Sequence, residues 1–123
     1  MIEFSIAETL PTVNVLKRLH WAKVRQIRQR VCRMVAEATI GKRPASPYTR
    51  CRVHIKRYSS QEPDVDAMPT TAKILLDVLQ PVSKRCPNGL GIIENDNSAC
   101  IMELKVEHVP KRIARTDVMI ECC

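Results

Sequence analysis

The residues best suited to chemistry are acidic, and they are gathered in one stretch. Of five aspartates in the chain, four (Asp64, Asp66, Asp77 and Asp96) fall between positions 64 and 96. In Pro63-Asp64-Val65-Asp66 the two-residue spacing sends both carboxylates to the same side of an extended backbone. Left alone they repel, which raises a pKa or demands a cation. A hard divalent ion, Mg2+ or Mn2+ in its place, takes oxygen ligands and would resolve the conflict. The plainer alternative is a solvated turn carrying two acids. Lys73, in the first turns of the helix expected next, and Asp96, in the polar turn Glu94-Asn95-Asp96-Asn97, supply an ammonium group and a third acid. With Asp64, Asp66 and Asp96 as metal ligands and Lys73 beside them, the group could hydrolyse a phosphodiester. Metal and ammonium would stabilise charge developing on the phosphate, and a metal-activated water would attack. Lys73 and Asp77 are also four residues apart, which alone is a helix-surface salt bridge of about 0.3–0.5 kcal/mol, so Asp77 reads as a structural or supporting residue.

The elements that must position these groups follow from periodicity. Residues 2–7 alternate apolar and polar, as a half-buried strand does. After a break at Leu10-Pro11-Thr12-Val13-Asn14, a short polar connection carries Lys17, Arg18 and His20. Over residues 20–39, Trp21, Val24, Ile27, Val31, Met34, Val35 and Ala38 recur at three- and four-residue steps, predicting a core-facing helix that ends near Gly41. Residues 49–58 alternate again, with Cys51, Val53 and Ile55 opposite Arg50, Arg52, His54 and Lys56. Pro69 suits the first turn of a second helix whose body is residues 72–79, and Pro81 stops it. A loop over residues 81–91 leads to a third strand at 99–107, with Cys100, Met102, Leu104 and Val106 on its apolar side, and Val118 and Ile120 mark a fourth. The expectation is an α+β fold: a single domain over residues 1–123, a mixed β-sheet and two main helices in the order β-α-β-α-β-β.

Charge divides the chain. The net charge is +7, yet residues 1–58 hold 13 Lys/Arg against 3 Asp/Glu, and residues 59–123 hold 7 against 10. The expected long helix carries Lys23, Arg25, Arg30 and Arg33 on its polar face, Arg28 at the border and Glu37 as its single acid. Without acids to form i,i+4 pairs, that face suits phosphate as well as water. The basic row on the second strand is likewise either wet or occupied by an anion. Only Phe4, Trp21, Tyr48 and Tyr58 are aromatic, which argues against a base-stacking platform and for phosphate contact. No apolar run approaches the roughly 20 residues that span a bilayer, and the first residues lack a signal-peptide pattern. A cytoplasmic protein without membrane association is expected. Six cysteines occur, with no CxxC; free thiols acting as small buried hydrophobes are expected, and Cys51 with His54 is at most half of a zinc site.

Three runs, in order, resemble a known family: Pro63-Asp64-Val65-Asp66-Ala67-Met68-Pro69, then Lys73-Ile74-Leu75-Leu76-Asp77-Val78-Leu79, then Gly91-Ile92-Ile93-Glu94-Asn95-Asp96. They are similar to the RusA-type Holliday junction resolvases, crossover junction endodeoxyribonucleases common in prophages. That family's pattern is a DxDN, a lysine four residues before an aspartate on the next helix, and a glycine-hydrophobic-Asp-Asp turn. The opening strand with Leu10-Pro11-Thr12-Val13-Asn14 and the basic stretch through His20-Trp21 are similar too, so the likeness spans nearly the whole chain. The resemblance implies a bacterial or phage-encoded, Mg2+-dependent homodimer that resolves four-way DNA junctions in recombination and repair, with no small-molecule cofactor. By position it implies Asp64, Asp66, Lys73 and Asp96 as catalytic residues. The DNA contacts expected are Asn14, Lys17, Arg18, Lys23, Arg25, Arg30, Arg52 and Lys56. The chain departs from the pattern at Ala67, where the family has asparagine, and at Asn95, where the first acid of the turn is common. An inactive RusA-like protein that only binds branched DNA is therefore a second reading. A basic adaptor or RNA-binding protein with solvated acids is a third.

Overall fold

The computed structural model describes residues 1–63, 66–84, 87 and 89–123; Asp64 and Cys86 lie outside the described residues. Its strands are β1 (Ile2–Ile6), β2 (Cys51–Ser59), β3 (Ile101–Pro110) and β4 (Arg115–Cys122). The helices are α1 (Val13–Arg18), α2 (Trp21–Ala38) and α3 (Lys73–Leu79), with a 3-10 turn over Met68–Ala72 leading into α3. The four strands form one sheet in the order β1-β4-β2-β3. β4 is antiparallel to both β1 and β2, whereas β3 runs parallel to β2. The α+β architecture with a mixed sheet is thus as the periodicity predicts.

Alternation decides which face of the sheet is covered. Ile2, Phe4, Ile6, Val53, Ile55, Val118 and Ile120 all turn toward α2 and α3 and are buried. Ile27, Val31 and Val35 are the buried residues of α2. Six of the seven residues of α3 are buried, Asp77 among them. This helix is too short to stand alone, so packing and its C-terminal partners maintain it. Leu90, Gly91 and Ile92 donate backbone N–H groups to Val78, Gln80 and Leu79, and Ile93 shares the Leu79 carbonyl. The otherwise orphaned carbonyls at the end of α3 are satisfied in this way. Gly91 meets the geometry with φ +69°, a region open to glycine.

Three expectations need correction. The connection after residue 12 contains α1, which has no apolar stripe of its own. It forms because the Thr12 hydroxyl accepts from the Val15 N–H at 3.4 Å, and because Leu16 packs on the core. Trp21 is not a core residue: it is 68% exposed. At about 100° per residue it lies some 80° from the centre of the Ile27–Val31–Val35 stripe, and it stands in the first turn of α2. Leu104, in register with Val53, lies on the helix side of β3 but remains exposed on this edge strand. At the irregularity between Cys51 and Arg52 it is Ile101, not Met102, that is buried, and Met102 is exposed.

The cysteines also differ in part. Cys51 and Cys100 are buried, as expected, but Cys122 and Cys123 are exposed. Topology gathers these four at one end of the sheet. Cys122 lies opposite Cys51 in register, and the Cys51 N–H donates to the Cys100 carbonyl at 2.8 Å. Burial, with the other thiols close by, pushes the Cys51 thiol up to about 12. His54 belongs to the opposite face of β2 from Cys51, so the two do not form half of a metal site. Among the described residues no helix is long and apolar enough to cross a membrane.

Candidate functional site

The acidic motif enters the structure at Asp66, in the turn before the 3-10 segment. Its carboxylate is exposed and has no hydrogen bond or ion pair among the described residues. The turn after it is held in place: Thr70 accepts from the Val13 N–H at 3.2 Å, and the Thr71 hydroxyl donates to the Met68 carbonyl at 2.8 Å. Ala67 precedes that segment and supplies no side-chain cap. Asp64 lies outside the described residues.

Lys73 opens α3, and its ammonium donates to Asp77 Oδ1 at 3.1 Å. The other Asp77 oxygen faces Arg28 of α2 at 3.6 Å. Asp77 therefore ties α2 to α3 and pairs with Lys73. Arg28, placed at the border of the polar face by its sequence position, is spent on this contact.

Asp96 is half-buried in a turn ordered by its neighbours. The Asn95 side-chain oxygen accepts from the Asp96 N–H at 2.8 Å. Asn97 does the same for Ala99 and Cys100, at 3.1 Å each. The segment leading into this turn is pinned to Leu79 at the C-terminal end of α3, whereas Lys73 and the turn with Asp66 stand at the N-terminal end. Seven helical residues separate the two ends by about 10 Å. Among the described residues no three His, Cys, Asp or Glu side chains come together to hold a metal ion. Asp66 precedes the 3-10 segment that leads into Lys73 at the start of α3, whereas the chain that leads to Asp96 is held at the end of α3. Asp66 and Asp96 are nevertheless oxygen donors of the hard kind, and Asp66 is uncommitted, so the chemistry of these side chains fits Mg2+.

The basic residues fall into two groups. Asn14, Lys17, Arg18, Lys23, Arg25 and Arg33 are exposed along α1 and α2 with no acid among them. Arg30, by contrast, forms a two-pronged contact with Glu8 at 2.8 Å on each side. Arg52 and Lys56 project from the uncovered face of the sheet, but register sets acids beside them. Arg52 is flanked by Glu103 and Glu121, and Lys56 by Glu107 and Asp117. The row that looks uniformly basic along β2 becomes mixed once its neighbours are in place.

That open face is a shallow concavity of about 630 Å3, lined by Glu3, Ser5, His54, Lys56, Arg115 and Asp117 among others. Partial burial of Asp117 raises its pKa, but hydrogen bonds from Ser5, Arg115 and Tyr58 outweigh this and hold the carboxyl below its ordinary value. A depressed carboxylate contributes stability that is complete above the usual aspartate range, about pH 4, and is lost as pH falls through its lowered value. Asp117→Asn is therefore expected to flatten the acid limb of a urea-stability profile below about pH 4. An unchanged acid limb would show that the three bonds do not favour the charged form.

Comparison with protein-family models and with curated proteins found no match to this chain.

Proposed function

We propose that this chain is a Mg2+-dependent endodeoxyribonuclease acting on branched DNA, of the RusA-type resolvase kind, in a bacterial or phage setting inside the cell. The observation that carries the proposal is the order of the acidic motifs together with an Asp66 that has no partner among the described residues and a Lys73 paired with Asp77 at the start of α3. Asp64 and Asp66, with Asp96 as the third acid of the motif, are the residues that would hold the ion. When bound, Mg2+ would lower the cost of building negative charge on the scissile phosphate. Lys73, oriented by Asp77, would add a positive charge at that phosphate. Asp66, exposed and without a partner among the described residues, would be open to such an ion. The cations of α1 and α2 would hold the DNA backbone, and Arg52 and Lys56, among acids, would contribute less.

A homodimer belongs to the same proposal. The open edge of β3 is a surface for it, since Met102 and Leu104 are exposed beside unpaired backbone. Antiparallel pairing centred on Leu104 would set Glu103 of one copy against Lys105 of the other. The decisive experiment is cleavage of a synthetic four-way junction and of a matched duplex, each with and without Mg2+. Cutting of the junction that requires Mg2+ is expected; no cutting at any Mg2+ or Mn2+ concentration would sink the nuclease reading.

The second reading, a binding module without catalysis, is favoured by the anchoring of Asp96 away from Lys73 and by the uncapped Ala67. It predicts salt-sensitive junction binding without cleavage. Activity recovered by combining Ala67→Asn with Asn95→Asp would identify the cause.

A further inference from the structure

Trp21 is the only tryptophan in the chain, and it opens α2 with 68% of its surface exposed. A ring of this size left uncovered is a binding feature when its surroundings favour a partner. The His20 ring lies against it, centroids 5.3 Å apart and planes inclined by 35°. His20 Nδ1 accepts from the Ala22 N–H at 3.1 Å, so the imidazole is fixed and the two rings form a ridge at the α1–α2 corner. Exposed cations stand close to the ridge along the chain: Lys17 and Arg18 in the last turn of α1, and Arg25, one turn on from Trp21 and about 40° round α2, whereas Lys23 lies on the other side of that helix. None of them is in an ion pair among the described residues, and the sequence has no acid between Glu8 and Glu37.

We infer that Trp21 stacks on an unpaired or splayed base of a branched DNA while Lys17, Arg18 and Arg25 hold the adjacent phosphates. The inference rests on the DNA-binding part of the proposed function and gives that surface one apolar contact, a single exposed ring among phosphate-binding cations and not the platform of several rings that the composition argues against. A nucleic acid offers both components at once, a flat π-face and a row of negative charge, and every base has such a face. A protein partner would have to be strongly acidic around an aromatic-binding pocket. A four-way junction suits the ridge better than a continuous duplex, because stacking is interrupted at its crossover.

The lone tryptophan makes the test direct. Its emission is followed as a four-way junction, and separately a duplex of the same sequence, is titrated into the protein in Ca2+ at low salt, with affinity measured in parallel by gel shift. Quenching by the junction, and less by the duplex, is expected. Trp21→Ala should lose roughly 5- to 100-fold in junction affinity, and Trp21→Phe should retain most of it. Both variants should melt with the parent, since the ring is exposed. Junction binding with unchanged emission, and equal affinity for Trp21→Ala, would overturn the stacking role while leaving DNA binding intact. Emission that shifts with protein concentration in the absence of DNA would assign the ridge to a protein interface and overturn it as well. Failure of the parent protein to bind any DNA in the gel shift would remove the underlying reading itself.

Discussion

Asp66→Asn is expected to reduce Mg2+-dependent cleavage of a four-way junction by on the order of 10² to 10³, with junction binding in Ca2+ preserved. The substitution keeps the size of the side chain and removes its charge. Because the carboxylate is exposed and makes no contact among the described residues, folding has nothing to lose from the change. A drop in rate without a drop in urea stability would then belong to chemistry. Asp64→Asn should behave alike, since the motif offers the two acids together. Asp96→Asn is the informative comparison. The chain entering its turn is held at the far end of α3, so an equal loss would mean that the acids act together on the substrate. Full activity in both Asp66→Asn and Asp96→Asn would dismiss this site altogether.

Asp77→Ala is expected to destabilise the fold by about 2–4 kcal/mol in urea unfolding. The Asp77 side chain is only 10% exposed and holds Arg28 on one oxygen and Lys73 on the other. Arg28 Nε is already buried without a hydrogen-bond partner among the described residues, so loss of the carboxylate strands a cation that has little other compensation there. Arg28 and Lys73 keep part of their surface in water, which sets the figure below that for a fully enclosed pair. Lys73→Ala should cost only about 0.5 kcal/mol, since its end of the contact is a half-exposed i,i+4 pair. The two substitutions therefore separate structure from chemistry. Asp77→Ala loses activity with stability, whereas Lys73→Ala should lose activity while remaining folded. A stable Asp77→Ala protein would mean that the two helices are held by apolar packing alone.

Much of the architecture is legible in the chain because strands and core-facing helix residues repeat with different periods. Ile2, Phe4 and Ile6 name their buried face, as Ile27, Val31 and Val35 name theirs. What periodicity cannot convey is which strands become neighbours. The row Arg52, His54, Lys56 reads as basic until Glu103, Glu107, Asp117 and Glu121 arrive beside it, and those acids come from strands far along the chain. Cys51, Cys100, Cys122 and Cys123 have no motif spacing and are gathered only by topology. Trp21 fits the apolar stripe by type and near-spacing, yet its place in the first turn leaves it uncovered. In the site, the order of Asp64, Asp66, Lys73 and Asp96 is readable, as is the supporting position of Asp77. The distance between the two ends of α3 is not, because it depends on which carbonyls capture Ile92 and Ile93.

The placement of β2 between β3 and β4 sets the order in which this protein can fold. Both partners of the central strand lie in residues 101–122, so β2 has no hydrogen-bonded neighbour until the last fifth of the chain is available. Loop closure over residues 60–100 must precede the parallel pairing, an entropic cost that places the barrier late and the rate in the slower range of small domains. During that interval Val53 and Ile55, wholly enclosed in the native state, are without their sheet partners. A chain synthesised from its N-terminus therefore carries an unpaired, apolar-faced β2 until β3 and β4 are made.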